Sequence, residues 1–131
     1  MNQFMNPKGL ATPKGYTHVV RSTGRTMITI AGQVSYDETG AVVGVGDLRR
    51  QTEQVYENIR IALTAVGASF DDVVKTTILI KDMTPAKIAA VREVRARFLS
   101  PDSPPASTLI AVPALAHPDL LLEIEATAII D

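Results

Sequence analysis

The segment Leu120–Ile130, LLLEIEATAII, decides which way the last strand of this chain faces. Side chains alternate between the two faces of a strand, and the even-numbered residues of this segment are all apolar, so we expect them to lie under helices. The opposite face is mixed, because Glu123 and Glu125 share it with Leu121 and Ile129. Two interpretations of the glutamates stay open: they lie at a contact with another subunit, or they are solvated surface acids.

Two amphipathic helices are predicted upstream of this segment. Asp47 is expected to be the N-cap of the first helix, and Gly67 the residue that ends it. Thr84 and Pro85 are expected to open the second helix as its N-cap and its first helical residue. Apolar residues recur at three- and four-residue spacing in both segments, which gives each helix one packing face.

Short segments rich in β-branched residues predict the strands. Ser22–Arg25 separates the first two strands and is predicted to be a hairpin turn in which Gly24 supplies a positive φ. Residues 1–15 carry prolines and glycines and are interpreted as an irregular lead-in. The predicted strands are 18–21, 26–30 running into 31–33, 42–43, 76–80, 107–112 and 120–130. The order β-β-β-α-β-α-β-β predicts an α+β fold with both helices on one face of a sheet.

Composition excludes several classes of function. The 131 residues suggest a single domain, 1–131, and 46% hydrophobic with 21% charged residues is a globular composition. A net charge of -1 argues against nucleic acid as a partner. There is no cysteine, and the two histidines, His18 and His117, are not at metal-ligand spacing, so we expect no metal. No apolar run is long enough to span a membrane and no signal peptide is visible, so a cytoplasmic protein with no membrane contact is expected.

Several motifs follow one another along the chain: MITIAGQV (27–34), QTEQVYENI (51–59), VGASFDDVVKTTILIKDM (66–83), PPAST (104–108) and LLEIEATAI (121–129). In this order they resemble the Rid family of reactive intermediate deaminases, also called YjgF or endoribonuclease L-PSP. The resemblance covers the chain from about Tyr16 to Ile130. The resemblance implies a chorismate-mutase-like fold with a mixed sheet, a homotrimer with small-molecule clefts between adjacent subunits, and hydrolysis of enamines or imines such as 2-aminoacrylate to 2-keto acids and ammonia. It implies no metal and no organic cofactor.

The resemblance also implies roles for individual residues. Glu123 matches the strand glutamate that helps to place the attacking water, so it is the candidate catalytic acid/base. Ser107 stands where deaminating members carry an arginine that grips the substrate carboxylate, and the family's SGQ motif is Ala31-Gly32-Gln33 here, without its serine. An α-imino acid is therefore expected to be a poor substrate unless another cation replaces the arginine.

The remaining polar groups supply candidates for substrate binding. Arg21, Arg92 and Arg95 are candidate replacement cations, and a solvated helix face is the alternative interpretation of the last two. The backbone amides and hydroxyls near Ser107 and Thr108 are candidates to orient the substrate. The candidate substrate-binding residues are Ser107, Thr108, Ala31, Gly32, Gln33, Tyr16 and Arg92.

Three functions stay open at this point. The first is an imine or enamine deaminase with a non-standard substrate, such as an amino-substituted dienoic acid, which the retained Glu123 favours. The second is a non-catalytic, small-molecule-binding or regulatory trimer, which the serine at position 107 favours. The third is a ribonuclease, for which the sequence offers neither a basic stripe nor stacking aromatic residues, with three Phe, three Tyr and no Trp.

Overall fold

A computed structural model describes residues 1–131 and confirms the expected α+β fold, with two helices on one face of a mixed sheet. The strands are β1 (Asn2–Met5), β2 (Val19–Ser22), β3 (Thr26–Gln33), β4 (Val73–Lys81), β5 (Ala106–Val112) and β6 (Leu122–Ile130). The four-stranded sheet has the order β3-β6-β4-β5, in which β4 and β5 are parallel and the other neighbours antiparallel. A separate two-stranded sheet pairs β1 with β2. The helices are α1 (Leu48–Ala65) and α2 (Pro85–Arg95), and a 3-10 turn, Phe70–Asp72, precedes β4.

Strand β6 alternates as its sequence predicts. Its even-numbered residues from 122 to 128 are at most 3% exposed and join the core under the helices. Glu123 is half-buried and Glu125 exposed on the opposite face, which we call the free face because no helix covers it. Since β6 pairs with both β3 and β4, it fixes the two faces for the whole sheet.

Both helix starts and the predicted end of α1 are confirmed. The Asp47 side chain accepts a hydrogen bond from the Arg50 amide, and the Thr84 side chain accepts one from the Lys87 amide. Gly67 has a φ of 75° and follows the C-cap of α1, where a left-handed residue closes the helix. Neither helix is long and apolar enough to cross a membrane.

The prediction of an irregular lead-in over residues 1–15 is wrong for its first part. Asn2–Met5 forms β1, which pairs antiparallel with β2 in the register Phe4↔Val20. Phe4 favours a strand but Asn2 disfavours one, so the local sequence predicts this strand only weakly. The strand is defined by its pairing with β2, which lies far along the chain.

The predicted hairpin at Ser22–Arg25 is also wrong, because its two flanking strands belong to different sheets. β2 pairs with β1, whereas β3 pairs with β6. Gly24 does not have a positive φ; a Cβ there would lie 2.7 Å from the Ile129 side chain, so the glycine permits a close approach to β6. The predicted strand at 42–43 is reduced to a single bridge between Tyr36 and Val42.

Gln51 of α1 holds the entry to β6 in place. Its side chain is fully buried, and its amide nitrogen donates to the carbonyls of Asp119 at 2.8 Å and Gly44 at 3.1 Å. Its oxygen accepts from the Leu121 amide at 2.9 Å. One side chain therefore satisfies three backbone groups from two loops and sets where β6, and with it Glu123, begins.

Replacing Gln51 with leucine should destabilise the protein strongly. The variant keeps the apolar packing but leaves three buried backbone groups without a partner, each worth roughly 1–3 kcal/mol, so we expect a loss of about 3 kcal/mol in the free energy of unfolding. Urea denaturation measures it. Gln54→Leu is the matched control, because Gln54 bonds only to Asn58 along the same helix. Equal effects of the two substitutions would contradict the role given to Gln51.

Candidate active site

The sheet separates the predicted site residues into two groups within one protomer. Tyr16, Arg92, Ser107 and Thr108 border a cavity on the helix side of the sheet. Glu123 and the segment 31–33 lie together at the free face. The groups do not meet inside a single chain, because the strands between them form a continuous sheet.

The cavity has a volume of about 330 Å³ and lies between α2 and the helix-facing side of β4 and β5. Its floor is apolar, formed by Ile78, Ile80, Ile88, Val91 and Leu109. Its rim is polar, formed by Lys14, Tyr16, Arg92, Arg95, Ser107 and Thr108. An apolar floor with a few polar groups converging on it is typical of a small-molecule site.

The segment that carries Tyr16 is tied to the loop before β5. The Thr17 amide donates to the Pro105 carbonyl at 3.1 Å, and the buried Thr17 hydroxyl donates to the Pro104 carbonyl. Tyr16 is half-buried and its ring packs edge-on against His18, with 5.2 Å between the ring centroids. The tyrosine is thereby held beside the start of β5, which supplies Ser107.

Ser107 and Thr108 face opposite sides of the sheet. The buried Thr76 hydroxyl donates to the Ser107 hydroxyl oxygen at 3.0 Å, which leaves the Ser107 proton available to a ligand in the cavity. The Thr108 hydroxyl instead accepts from Lys75 at 2.9 Å. Thr108 thus borders the cavity without directing its hydroxyl into it, because adjacent residues of a strand alternate.

Three cations border the cavity and no carboxylate does. Lys14 and Arg92 are exposed and Arg95 is half-buried. None of the three takes part in an ion pair within the chain. Arg21, the other candidate cation, lies on β2 and donates to the Gln3 side chain, away from the cavity. The cavity therefore has an unbalanced positive charge.

Burial is the main cause that lowers the pKa of Arg95. Tyr56 opposes this lowering, and the positive charge of Arg92 adds to it. Burial also raises the pKa of the Tyr56 hydroxyl, which has no hydrogen-bond partner. An anion beside Arg95 would relieve the unfavourable environment of the guanidinium.

At the free face, a β-bulge brings Gly32 against Glu123. The register of β3 on β6 shifts between Ile30 and Gln33, so that Ala31 and Gly32 fall outside the regular ladder. A Cβ at Gly32 would overlap Oε1 of Glu123 and lie 2.7 Å from its Cδ. Because Gly32 has no side chain, the Glu123 carboxylate can occupy this space. Glu123 forms no ion pair within the chain.

Glu125 lies in a different environment on the same face. Lys75, Thr77 and Thr127 surround it, together with Thr29. Burial lowers the pKa of Lys75, and the negative charge of Glu125 opposes that lowering. Lys75 also donates to the Thr108 hydroxyl, so Glu125 belongs to a polar network. Nowhere in the chain do three or more His, Asp or Glu side chains gather closely enough to hold a metal ion.

The family model for endoribonuclease L-PSP matches residues 7–130. This chain belongs to the endoribonuclease L-PSP family. A RutC family protein of Pyrococcus horikoshii is 44% identical over 100 residues, which are 76% of this chain and 75% of that protein. The 3-aminoacrylate deaminase RutC of Acinetobacter baylyi is 32% identical over 127 residues, which are 93% of this chain and 98% of that protein.

Solved structures of the L-PSP or Rid family share the fold over the whole chain. YyfB of Yersinia pestis, a Rid-family protein of unknown function, is 36% identical with a TM-score of 0.91, covering 98% of both chains. RidA of an Antarctic Psychrobacter species is 30% identical with a TM-score of 0.71, covering 97% of this chain and 98% of its own. The family resemblance stated from the motifs is confirmed.

Arg95, one of the three candidate replacement cations, borders the cavity, and so does Lys14, which was not a candidate. Arg95 falls on the apolar stripe of α2, between Val91 and Phe98, where a core residue is expected. A charged residue on the buried stripe of a helix is the signal that favours it over the exposed Arg92. Lys14 lies in an irregular segment, where no periodicity indicates which way a side chain points.

Replacing Gly32 with alanine should displace the Glu123 carboxylate while leaving the fold intact. The new methyl group overlaps the end of a flexible side chain, so we expect the free energy of unfolding to change by less than about 1 kcal/mol. A crystal structure of the variant measures the displacement, with Ala31→Ser at the adjacent bulge position as the control. An unmoved Glu123 in the Gly32→Ala structure would contradict the geometry described above.

Proposed function

We propose that this protein is a Rid-type deaminase that hydrolyses an imine or enamine in a cleft between two subunits. One protomer supplies Glu123 and the bulge at Gly32, and its neighbour supplies the cavity bordered by Tyr16 and Ser107. The observation that carries the proposal is the half-buried Glu123 carboxylate, which has no ion-pair partner and is seated over a glycine that leaves room for it. The similarity to a 3-aminoacrylate deaminase supports this class of reaction.

The reaction needs one group that moves a proton from water to nitrogen. Glu123 accepts a proton from a water molecule as the water oxygen attacks the carbon of the C=N bond, and it returns this proton to the nitrogen, which gives a carbinolamine. The same carboxylate then transfers the hydroxyl proton of the carbinolamine to the nitrogen, the C–N bond breaks, and a carbonyl compound and ammonia leave. An enamine reaches the same path after protonation at carbon gives the imine. The net change is addition of one water and loss of one ammonia.

The free face supports assembly into a homotrimer. It carries Met27, which is 69% exposed, and Ile110, which is 41% exposed, next to the polar network around Glu125. Apolar side chains of this size on a face without helices favour a protein contact. In a ring, each protomer presents its free face to one neighbour and its cavity to the other, which unites the two groups of site residues.

A non-catalytic binding trimer is the second candidate, and Ser107 favours it. A serine hydroxyl offers a single neutral donor where a guanidinium would offer a charged, two-pronged grip. A cleft with this change still holds a small molecule, because its apolar floor and cationic rim remain. Turnover distinguishes the two candidates.

Glu123→Gln should abolish hydrolysis, because glutamine keeps the shape but cannot exchange a proton. The substrate to test is 4-methyl-2-iminopentanoate, generated in the assay by oxidation of leucine, with ammonia release as the readout. We expect the catalysed rate to fall by roughly 100-fold or more. 2-Aminoacrylate, which has no hydrocarbon chain for the cavity, should be turned over slowly by the unmodified protein.

Glu125→Gln is the matched control, two residues along the same face of β6. It should retain turnover and instead alter thermal stability or assembly, because Glu125 lies in the network around Lys75. Light scattering should give the unmodified protein and Glu123→Gln a mass near three times 14.1 kDa. Hydrolysis that is lost in Glu125→Gln and kept in Glu123→Gln would overturn the assignment. If the unmodified protein does not hydrolyse the imine, the deaminase proposal is wrong and the non-catalytic binding trimer is the remaining candidate.

A further inference from the structure

We propose that Arg95, supported by Arg92 and Lys14, receives the carboxylate of the substrate, and that the substrate is a small anion with an apolar body. This inference rests on the proposed function, because it identifies how the cavity half of the cleft holds its ligand. It moves the anion-binding group from strand β5 to helix α2, since Ser107 carries no charge.

The positive charges at the rim of the cavity favour an anionic ligand. Arg95 is half-buried at the cavity, and the other two cations of the rim add positive charge without any acidic neighbour. By contrast, four arginines elsewhere on α1 and just after α2 each pair with a glutamate, namely Arg49, Arg50, Arg60 and Arg97. A charge that is partly removed from water without a partner is unfavourable, so a bound carboxylate stabilises this arrangement.

Gly15 leaves room for the Arg95 guanidinium. Gly15 has a φ of 75°, and a Cβ at this position would overlap Nη2 of Arg95. The guanidinium therefore lies directly against the backbone next to Tyr16, at the rim of the cavity. A planar guanidinium is suited to a carboxylate, which it binds with two parallel hydrogen bonds.

The apolar floor of the cavity determines which kind of chemical group can be attached to the carboxylate of the ligand. Its apolar residues, which include Ile78, Ile80 and Val91, offer no hydrogen-bond partner to a sugar or a hydrated phosphate. A hydrocarbon chain fits this surface, and each methylene group buried there strengthens binding by roughly fourfold. The Ser107 hydroxyl adds one neutral donor at the edge of this surface. A carboxylate attached to a short branched hydrocarbon combines both requirements.

Calorimetric binding to the unmodified protein tests the inference without any reaction. The probes are 4-methylpentanoate, its uncharged amide and inorganic phosphate at neutral pH. We expect the carboxylate to bind roughly 10- to 100-fold more tightly than the amide, as for a charged hydrogen bond. Equal affinity for acid and amide, or tighter binding of phosphate than of the carboxylate, would overturn the inference.

Two variants then identify the anchor. Arg95→Gln should weaken binding of 4-methylpentanoate by roughly 10- to 100-fold. Gly15→Ala should also weaken it, although every charge is kept, because the methyl group displaces the guanidinium; the positive φ of Gly15 also strains an alanine, so thermal stability is measured beside affinity. Arg97→Gln is the control, since Arg97 pairs with Glu53 at 2.7 Å outside the cavity, and it should bind like the unmodified protein.

Unchanged affinity in Arg95→Gln would overturn the inference. If a variant does not fold, the deciding measurement is the comparison of 4-methylpentanoate with its amide on the unmodified protein. The two proposals fail separately. If the protein binds the carboxylate tightly but does not hydrolyse the imine, the deaminase proposal is wrong and the role of Arg95 in binding stands. If it hydrolyses the imine but does not prefer the carboxylate over the amide, the role of Arg95 is wrong and the deaminase proposal stands.

Discussion

The burial of one face of β6 is the constraint on which the rest of the structure depends. Leu122, Ile124, Ala126 and Ala128 must lie under the helices, and the period of two along a strand then places Glu123 on the other side. Because β6 is bonded to strands on both sides, the same division extends across the sheet. A one-residue slip would bury both glutamates, and the three backbone hydrogen bonds of Gln51 at the entry to β6 help to exclude it.

This division explains why a single chain holds only separate halves of a site. A carboxylate on the free face and a cationic cavity on the helix face do not act on one substrate through a continuous sheet. In the assembly that we propose, the free face of one protomer meets the cavity of the next, so hydrolysis would require the oligomer. Met27 and Ile110, which are exposed on the free face, would then pack at this contact.

Ser107 is uncharged, and the positive charge of the cavity comes from Lys14, Arg92 and Arg95 instead. Ser107 and Thr76 share a hydrogen bond where the resemblance places a guanidinium, while α2 and the segment before β2 supply three cations without acidic partners. A helix is a rigid support, and the missing side chain of Gly15 leaves space for the Arg95 guanidinium. We interpret the change at position 107 as a change of substrate.

Local signals predicted the parts of the fold that depend on nearby residues. Asp47, Thr84 and Gly67 were found from capping preferences, and the faces of β6 from alternation. The β1–β2 pairing was missed because it depends on the return of a loop rather than on strand propensity. Arg95 was only one candidate cation among three, because the sequence places it on a helix face but does not show which strand or loop it meets. For the same reason Gly24 was given a turn conformation when its role is close contact with β6.

Complementation between two inactive variants tests most directly whether each cleft joins two protomers. Glu123→Gln removes the carboxylate, and Ser107→Phe fills the cavity with a ring. When equal amounts are mixed and the subunits exchange, about a quarter of the clefts should combine an intact carboxylate with an intact cavity from neighbouring protomers. Recovery of imine hydrolysis to about a quarter of the unmodified level is the predicted result. A mixture no more active than its two components would show that each site lies within one chain and would contradict the shared cleft.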